Sequence, residues 1–421
     1  MQLFNSMGRK LEEFVPSGDV VGVYACGITP YDTTHLGHAF TYLTADVLIR
    51  YLEFKGYAVR YVQNVTDIDD DILRKAKQVG EDWRTLVNHW TAHFIEDMMA
   101  LNVRAPDVFP RATEAIPQIV EIVARLLDAG VAYRGDGNVY FHIDAWPDYG
   151  KLSRLPRVEM LTLANERGNN PQDPCKQDPL DFVLWQAQAP QEPGWSSPWG
   201  VGRPGWHIEC STLAQKFLGQ SVDIHMGGAD LIFPHHESEI AQVEPASGVK
   251  PFVRYWMHVA MVYHEGEKMS KSLGNLVMVR DLLRQYSADA LRIYLAGHHY
   301  RTTWSYDAEE LRQAAQVADE LRRAACAISE KGPQLDVEEE EAAFMRAMDA
   351  DLDTPQALSA LERIGKAILA GEGGRDVRVA QQKLRSLGGI FALRLGVEGA
   401  AAGDEDAWRR HLAHFAGETG A

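Results

Sequence analysis

Apolar positions along the chain change rhythm several times, and each change marks an element. "DVVGVYACGI" (19–28) is apolar and β-branched without helical spacing, the pattern of a buried strand. "THLGHAFTYLTADVLIRYLEFKG" (34–56) then takes up a helical period, opened by Thr34 or Thr33 as N-cap and closed by Gly56. "YAVRYVQNVTDIDDDILRKAKQVG" repeats the scheme as a strand, an acidic turn and a second helix. Such alternation predicts an α/β fold with a doubly wound parallel, Rossmann-like sheet, whose ligands lie at the carboxyl ends of its strands.

Residues 82–132 keep a helical period around the proline-punctuated break "LNVRAPDVFP", and "GNVYFHIDAW" reads as an inserted strand. The stretch from about 150 to 205 is rich in Pro, Gly, Asn and Gln and reads as an irregular insertion, which in a compact protein is more often functional than idle. The sheet pattern resumes in "SVDIHMGGADLIF" and "YWMHVAMVYH", and from "SADALRIYLAGHH" to about residue 395 the pattern is helical. The expected organisation is an α/β catalytic domain over 1–300 with an insertion at about 85–205, an α-helical bundle over 301–395, and a short tail over 396–421. That tail reads as one helix with loose ends. The acidic run Glu338 to Glu341 suits a solvated helix start, where the helix dipole favours it.

Composition narrows this picture. A length of 421 residues exceeds what one core of ordinary size fills. No run approaches the roughly 20 apolar residues that span a bilayer, and "MQLFNSMGRKLEEF" has no secretory pattern. A cytoplasmic protein without a membrane partner is expected. Cysteines at 26, 175, 210 and 326 form neither a disulfide framework nor a paired CxxC ribbon, so reduced thiols are expected. The formal charge of −17 disfavours non-specific adhesion to nucleic acid but leaves room for one basic face.

Two strings carry chemistry. His35 and His38 flank Leu36-Gly37 at a strand-to-helix turn, where free N–H groups and positive potential suit a polyphosphate. Alone, that string fits two surface histidines and a packing glycine at least as well. "EGEKMSKSLGN" (265–275) sets Lys268 and Lys271 among serines between two glycines, a basic loop able to fold over a leaving pyrophosphate. Chance accounts poorly for both strings in one chain.

With them the sequence resembles the class I aminoacyl-tRNA synthetases and, more narrowly, the cysteinyl-tRNA synthetase and mycothiol cysteine ligase family. The resemblance runs from about residue 18 to 395 through "CGITPYD", "YVQNVTDIDD", "DPLDFVLW", "GRPGWHIECS", "GGADLIFPHHESEIAQ", "YWMH" and "KMSKSLGN". It implies one Zn²⁺ held by Cys26, Cys210, His235 and Glu239. The residue types suit a tetrahedral ion, and His235 and Glu239, four apart, share a helical face. Such an ion selects substrate cysteine over serine through sulfur. The resemblance further implies that Trp206 walls the thiol pocket and that Thr66 and His207 lie near the amino acid. Gly227, Gly228 and Asp230 match an adenosine-binding segment, with the carboxylate accepting from ribose. ATP enters with Mg²⁺, and His35, His38, Lys268 and Lys271 serve attack on the α-phosphate, Lys271 with the largest effect.

The implied acceptor is mixed. Glu239 as fourth zinc ligand, "YGKLS", "YWMH" and "KMSKSLGN" followed by "VRDLL" resemble the synthetases, which charge tRNA(Cys). "GITPYDTTHLGHA", "MLTLANERGNNPQDP", "LAGHHYRTTW" and "DLDTP" resemble the mycothiol ligases, which acylate the amine of glucosaminyl-inositol. The expected acceptor is tRNA(Cys), with the amino sugar as alternative and a catalytically silent cysteine sensor as a remote third. No full anticodon-binding domain is expected after the bundle, whose helices can still touch tRNA through a local basic face. A monomer is expected, and Cys175 and Cys326 read as inert thiols.

Overall fold

The computed structural model describes residues 1–32, 34–269, 274–329, 332–396 and 402–417. The chain opens with a hairpin of β1 (Gln2–Asn5) and β2 (Lys10–Glu13). There follow β3 (Val20–Ile28), α1 (Leu36–Phe54), β4 (Ala58–Val65), α2 (Asp70–Val79) and α3 (Trp83–Ala100). A second stretch contains α4 (Ile116–Asp128), β5 (Ala132–Gly135), β6 (Asn138–Phe141), α5 (Arg157–Glu166), β7 (Phe182–Ala187) and β8 (Gly202–Pro204). The main sheet resumes with α6 (Trp206–Leu218), β9 (Val222–Gly228), α7 (Glu237–Ser247) and β10 (Val253–Val259). After them come β11 (Val262–His264), β12 (Glu267–Lys268), α8 (Val279–Leu283), α9 (Ala288–Ala296) and β13 (Trp304–Ser305). The remainder is helical: α10 (Ala308–Ala325), α11 (Glu338–Asp349), α12 (Thr354–Gly371), α13 (Arg378–Ile390) and α14 (Ala402–Gly417).

The central sheet runs β10-β9-β3-β4, all parallel, as the apolar strands predict. From β3 the chain turns to β4 on one side and later to β9 on the other. The switch point, and with it the ligand crevice, falls between the carboxyl ends of β3 and β9. Cys26 and Gly27 lie at one lip of that crevice and Gly227 and Gly228 at the other. The N-cap of α1 is His35, not Thr34: its Nδ1 accepts the Gly37 N–H at 3.1 Å. Thr33 lies outside the described residues. An imidazole nitrogen can satisfy a free helix-start donor as a hydroxyl does, which composition rules for caps do not favour.

The stretch from about 150 to 205, expected to be irregular, holds α5, β7 and β8. β5, β6, β7 and β8 form an antiparallel sheet with its own apolar cluster, in which Phe141 and Phe182 stack at 4.9 Å. The last strand hides behind "GRP" because a Cβ at Gly202 would sit 2.2 Å from the Gln186 carbonyl oxygen, so only glycine fits there. The helix expected in the tail is α14, and it is docked. Trp408 and Phe415 are each 1% exposed, and the Trp408 indole N–H donates to the Val103 carbonyl at 2.8 Å. Apolar burial of that size holds a terminal helix down.

Candidate active site and metal centre

Gly27 follows Cys26 because nothing larger fits: a Cβ there would lie 1.5 Å from the Asn64 carbonyl oxygen. Beyond this close approach of β3 and β4, Cys26 faces α6 and α7 across a buried pocket. Its Sγ lies 3.9 Å from Cys210 Sγ, 3.4 Å from His225 Nε2, 3.2 Å from His236 Nε2 and 3.8 Å from Glu239 Oε1. Glu239 Oε1 is also 3.2 Å from His235 Nε2.

Two overlapping donor sets converge within 4.8 Å, Cys26–Cys210–His235–Glu239 and Cys26–His225–His236–Glu239. The first is the set expected from sequence. His235 does not reach Glu239 by regular helical spacing alone. Residues Ile232–His236 form a wider turn, broken at Phe233, that merges into α7.

Burial sets the charge state of these groups. It pushes the Cys26 thiol and the Glu239 carboxyl up, and drives the His207, His225 and His236 imidazoles well down. Cys210 is drawn down instead, chiefly by the Cys26 thiol that donates to it. Neutral imidazoles beside thiols make a donor set that suits a cation, whose binding would favour thiolate and carboxylate. Glu239 Oε2 and His225 Nδ1 have no hydrogen-bond partner among the described residues. Buried polar atoms left in that state are costly unless something binds them.

The head of α6 and the end of β4 adjoin this pocket. Trp206 opens α6 and stacks on His235 at 4.3 Å, while His207 Nδ1 lies 2.9 Å from His235 Nδ1. Thr66 is buried just past β4, its N–H donating to the Ile28 carbonyl at 2.9 Å. Its hydroxyl accepts from Asn64 Nδ2 at 3.1 Å, and Asn64 Oδ1 accepts the Gly27 N–H at 2.8 Å. Asn64 therefore ties the cysteine strand to the threonine strand. Sequence reasoning missed this residue, as it missed His225 and His236. The polar pair Gln63-Asn64 in the strand "RYVQNV" was the available signal for Asn64.

His35 and His38 stack at 3.8 Å on the first turn of α1. A bridge between His35 and Met278, with the Leu36 N–H donating to the Val277 carbonyl at 2.9 Å, sets this turn beside the exit of the "KMSKSLGN" loop. The first signature string thus packs beside the residues that follow the second. Lys271 lies outside the described residues, and of Lys268 only the backbone is described, paired to Tyr263. Across the crevice a Cβ at Gly227 would meet His236 Cε1 at 2.9 Å, and one at Gly228 would meet Asp230 Oδ1 at 2.6 Å. Asp230 itself accepts from Arg167 at 2.9 Å, a contact from the far end of α5 that the sequence did not announce.

Residues 13–316 match the family model for the tRNA synthetase class I (C) catalytic domain. A cysteine--tRNA ligase of Dehalococcoides mccartyi is 45% identical over 404 residues, covering 94% of this chain and 86% of its own. An L-cysteine:1D-myo-inositol 2-amino-2-deoxy-alpha-D-glucopyranoside ligase of Thermomonospora curvata is 46% identical over 361 residues, covering 85% of this chain and 86% of its own. Among solved structures, Mycobacterium tuberculosis methionyl-tRNA synthetase in complex with methionyl-adenylate superposes with a TM-score of 0.62 at 17% identity. It covers 95% of this chain and 93% of that one, a likeness of fold.

Proposed function

The chain belongs to the class I tRNA synthetase (C) family, and from that premise we propose that it activates L-cysteine with ATP and transfers the cysteinyl group to tRNA(Cys). The observation that carries this reading is the buried thiol, imidazole and carboxylate pocket at the sheet's switch point, next to a helix start suited to phosphates.

Cys26, Cys210, His235 and Glu239 suit zinc by donor chemistry, and the unpartnered Glu239 Oε2 suits a cation in the pocket. When bound, zinc supplies a soft Lewis acid that prefers a substrate sulfur to a hydroxyl. The protein's own groups do the rest. Trp206 and His207 wall the side-chain pocket, and Thr66, held by Asn64, faces the amino acid. Gly227 and Gly228 let the nucleoside approach the backbone, and Asp230 accepts from its ribose. A cysteine carboxylate oxygen then attacks the α-phosphorus in line as the bond to pyrophosphate breaks. His35, His38, Lys268 and Lys271 neutralise the charge leaving with pyrophosphate and its Mg²⁺. No side chain serves as nucleophile, so positioning and charge supply the rate. The enzyme is proposed to act as a cytoplasmic monomer, with the bundle over 301–395 bearing on the tRNA.

A second reading has one specific observation behind it, the similarity to the T. curvata ligase, which matches the similarity to the D. mccartyi enzyme in identity. One experiment separates them: enzyme, cysteine and ATP are offered either a tRNA(Cys) transcript or glucosaminyl-inositol. Acylated tRNA is the expected product. Acylation of the sugar amine alone would transfer the proposal to the second acceptor.

A further inference from the structure

The string "VRDLL", which forms α8, takes no part in the chemistry above, yet its arginine is bound at three points. Arg280 Nε donates to Asp97 Oδ1 at 2.7 Å. Its Nη2 donates to Glu96 Oε2 at 2.6 Å and to the His93 carbonyl at 3.1 Å. All three acceptors lie in the second half of α3. We propose that the Arg280–Asp97 pair is a positioning element for the activation step, fixing residues 277–280 against α3 and, through them, the turn that presents His35 and His38. The inference rests on the phosphate role given to those histidines above.

The link from Arg280 to the histidines is short and runs through main chain. The Val279 N–H donates to the Thr34 carbonyl at 3.2 Å, Met278 forms a bridge with His35, and the Val277 carbonyl accepts the Leu36 N–H at 2.9 Å. The last of these fills one of the N–H groups that α1 leaves free at its start. So few bonds do not set a register firmly, and α8, five residues long, is too short to stand unaided. Val279 and Leu282 bury their side chains, but apolar contact has no direction. A planar guanidinium bonded to two carboxylates and a carbonyl does have one.

Asp97 is the partner that matters. It is 2% exposed, whereas Glu96 faces solvent, and an exposed ion pair contributes little. Burial pushes the Asp97 carboxyl up, while Arg280 and then Thr34 draw it down again. One carboxylate thus answers both to the residue before His35 and to the arginine after Val279. Helix α3 gives it a stiff frame, since Phe94 packs edge-on against Tyr42 of α1 at 5.2 Å. A pair held in this way sets the histidine turn without touching a substrate.

The test uses the full chain and cysteine-dependent ATP–pyrophosphate exchange. Arg280→Ala should lower kcat about 10- to 100-fold, the scale of a misplacement of about an ångström, with the KM for cysteine within about twofold of wild type and zinc content unchanged. Arg280→Lys keeps the charge but not the fork and should fall between Arg280→Ala and wild type. Removing half of a buried pair can also weaken the fold, so Arg280→Met is combined with Asp97→Leu. In that double variant the melting temperature should recover and kcat should not. Because the pair acts through the histidines, adding Arg280→Ala to the His35→Ala, His38→Ala variant should cost less than about threefold. Three results would overturn the inference: wild-type kcat in Arg280→Ala, recovery of kcat in the apolar double variant, or the full Arg280→Ala penalty on the His35→Ala, His38→Ala background. Normal exchange by the His35→Ala, His38→Ala variant itself would overturn the phosphate role, and the inference with it.

Discussion

On the crevice floor, Cys26, Cys210, His225, His235, His236 and Glu239 are each no more than 6% exposed. On the rim, Trp83 and Trp195 are half-buried, and Arg84 stands in solvent. The floor is tied to a parallel sheet covered on both faces, so its groups are desolvated and each constrains the next. Trp83 and Arg84 open α3 and Trp195 lies in the loop before β8, where side chains stand more open to solvent. A floor of this kind discriminates between small substrates because its polar atoms go unpaired when the wrong one binds.

That contrast can be broken most severely at the floor. Cys210→Ser should lower bound zinc below about a tenth of the wild-type content and cut cysteine activation by two or more orders of magnitude, in line with the loss of a metal ligand and its charge. Metal analysis beside ATP–pyrophosphate exchange checks this. Full activation by a zinc-free variant would remove the metal from the reading. A smaller effect is expected where floor and insertion touch. Arg167→Ala frees Asp230 from a partly exposed ion pair and should raise the KM for ATP by no more than about fivefold, with zinc content unchanged. A loss of zinc in that variant would show that the two regions are not separable.

The smallest effect is a pH dependence of stability. Burial pushes the Asp67 carboxyl up to about 6 although Thr113 donates to it from both backbone and hydroxyl. A folded-state pKa above the unfolded value favours folding fully only below the unfolded pKa, and that contribution is lost as pH rises through 6. Asp67→Asn should therefore gain stability relative to wild type as pH rises from about 4 to 7. Urea midpoints across that range test it, and a constant difference between the two proteins would count against the assignment.

The fold was legible where the hydrophobic period was long and unbroken. β3, α1, β4 and β9 stand close to where their patterns placed them, since buried strands and amphipathic helices impose their own spacing on sequence. Of the antiparallel insertion only β6 was legible, within "GNVYFHIDAW"; the other strands are short and one contains glycine and proline for reasons of backbone approach. The same divide runs through the site. Cys26, Cys210, His235 and Glu239 carry reactive types inside distinctive strings, and the structure brings them together. Asn64, His225 and His236 work through neighbours distant in sequence, and an asparagine in a strand does not declare what it ties. The Asp230–Arg167 contact likewise spans 63 positions, a separation that local pattern cannot bridge.

The docked helix α14 has a practical corollary. Phe415 packs beneath the Arg111 guanidinium at 4.2 Å, and Arg111 belongs to the turn whose Thr113 grips Asp67, next to Thr66. A surface tether or bulky fusion attached to that helix pulls on the same turn. Immobilisation for binding assays is better made through the exposed face of α10, which packs on α9, α12 and α13 instead.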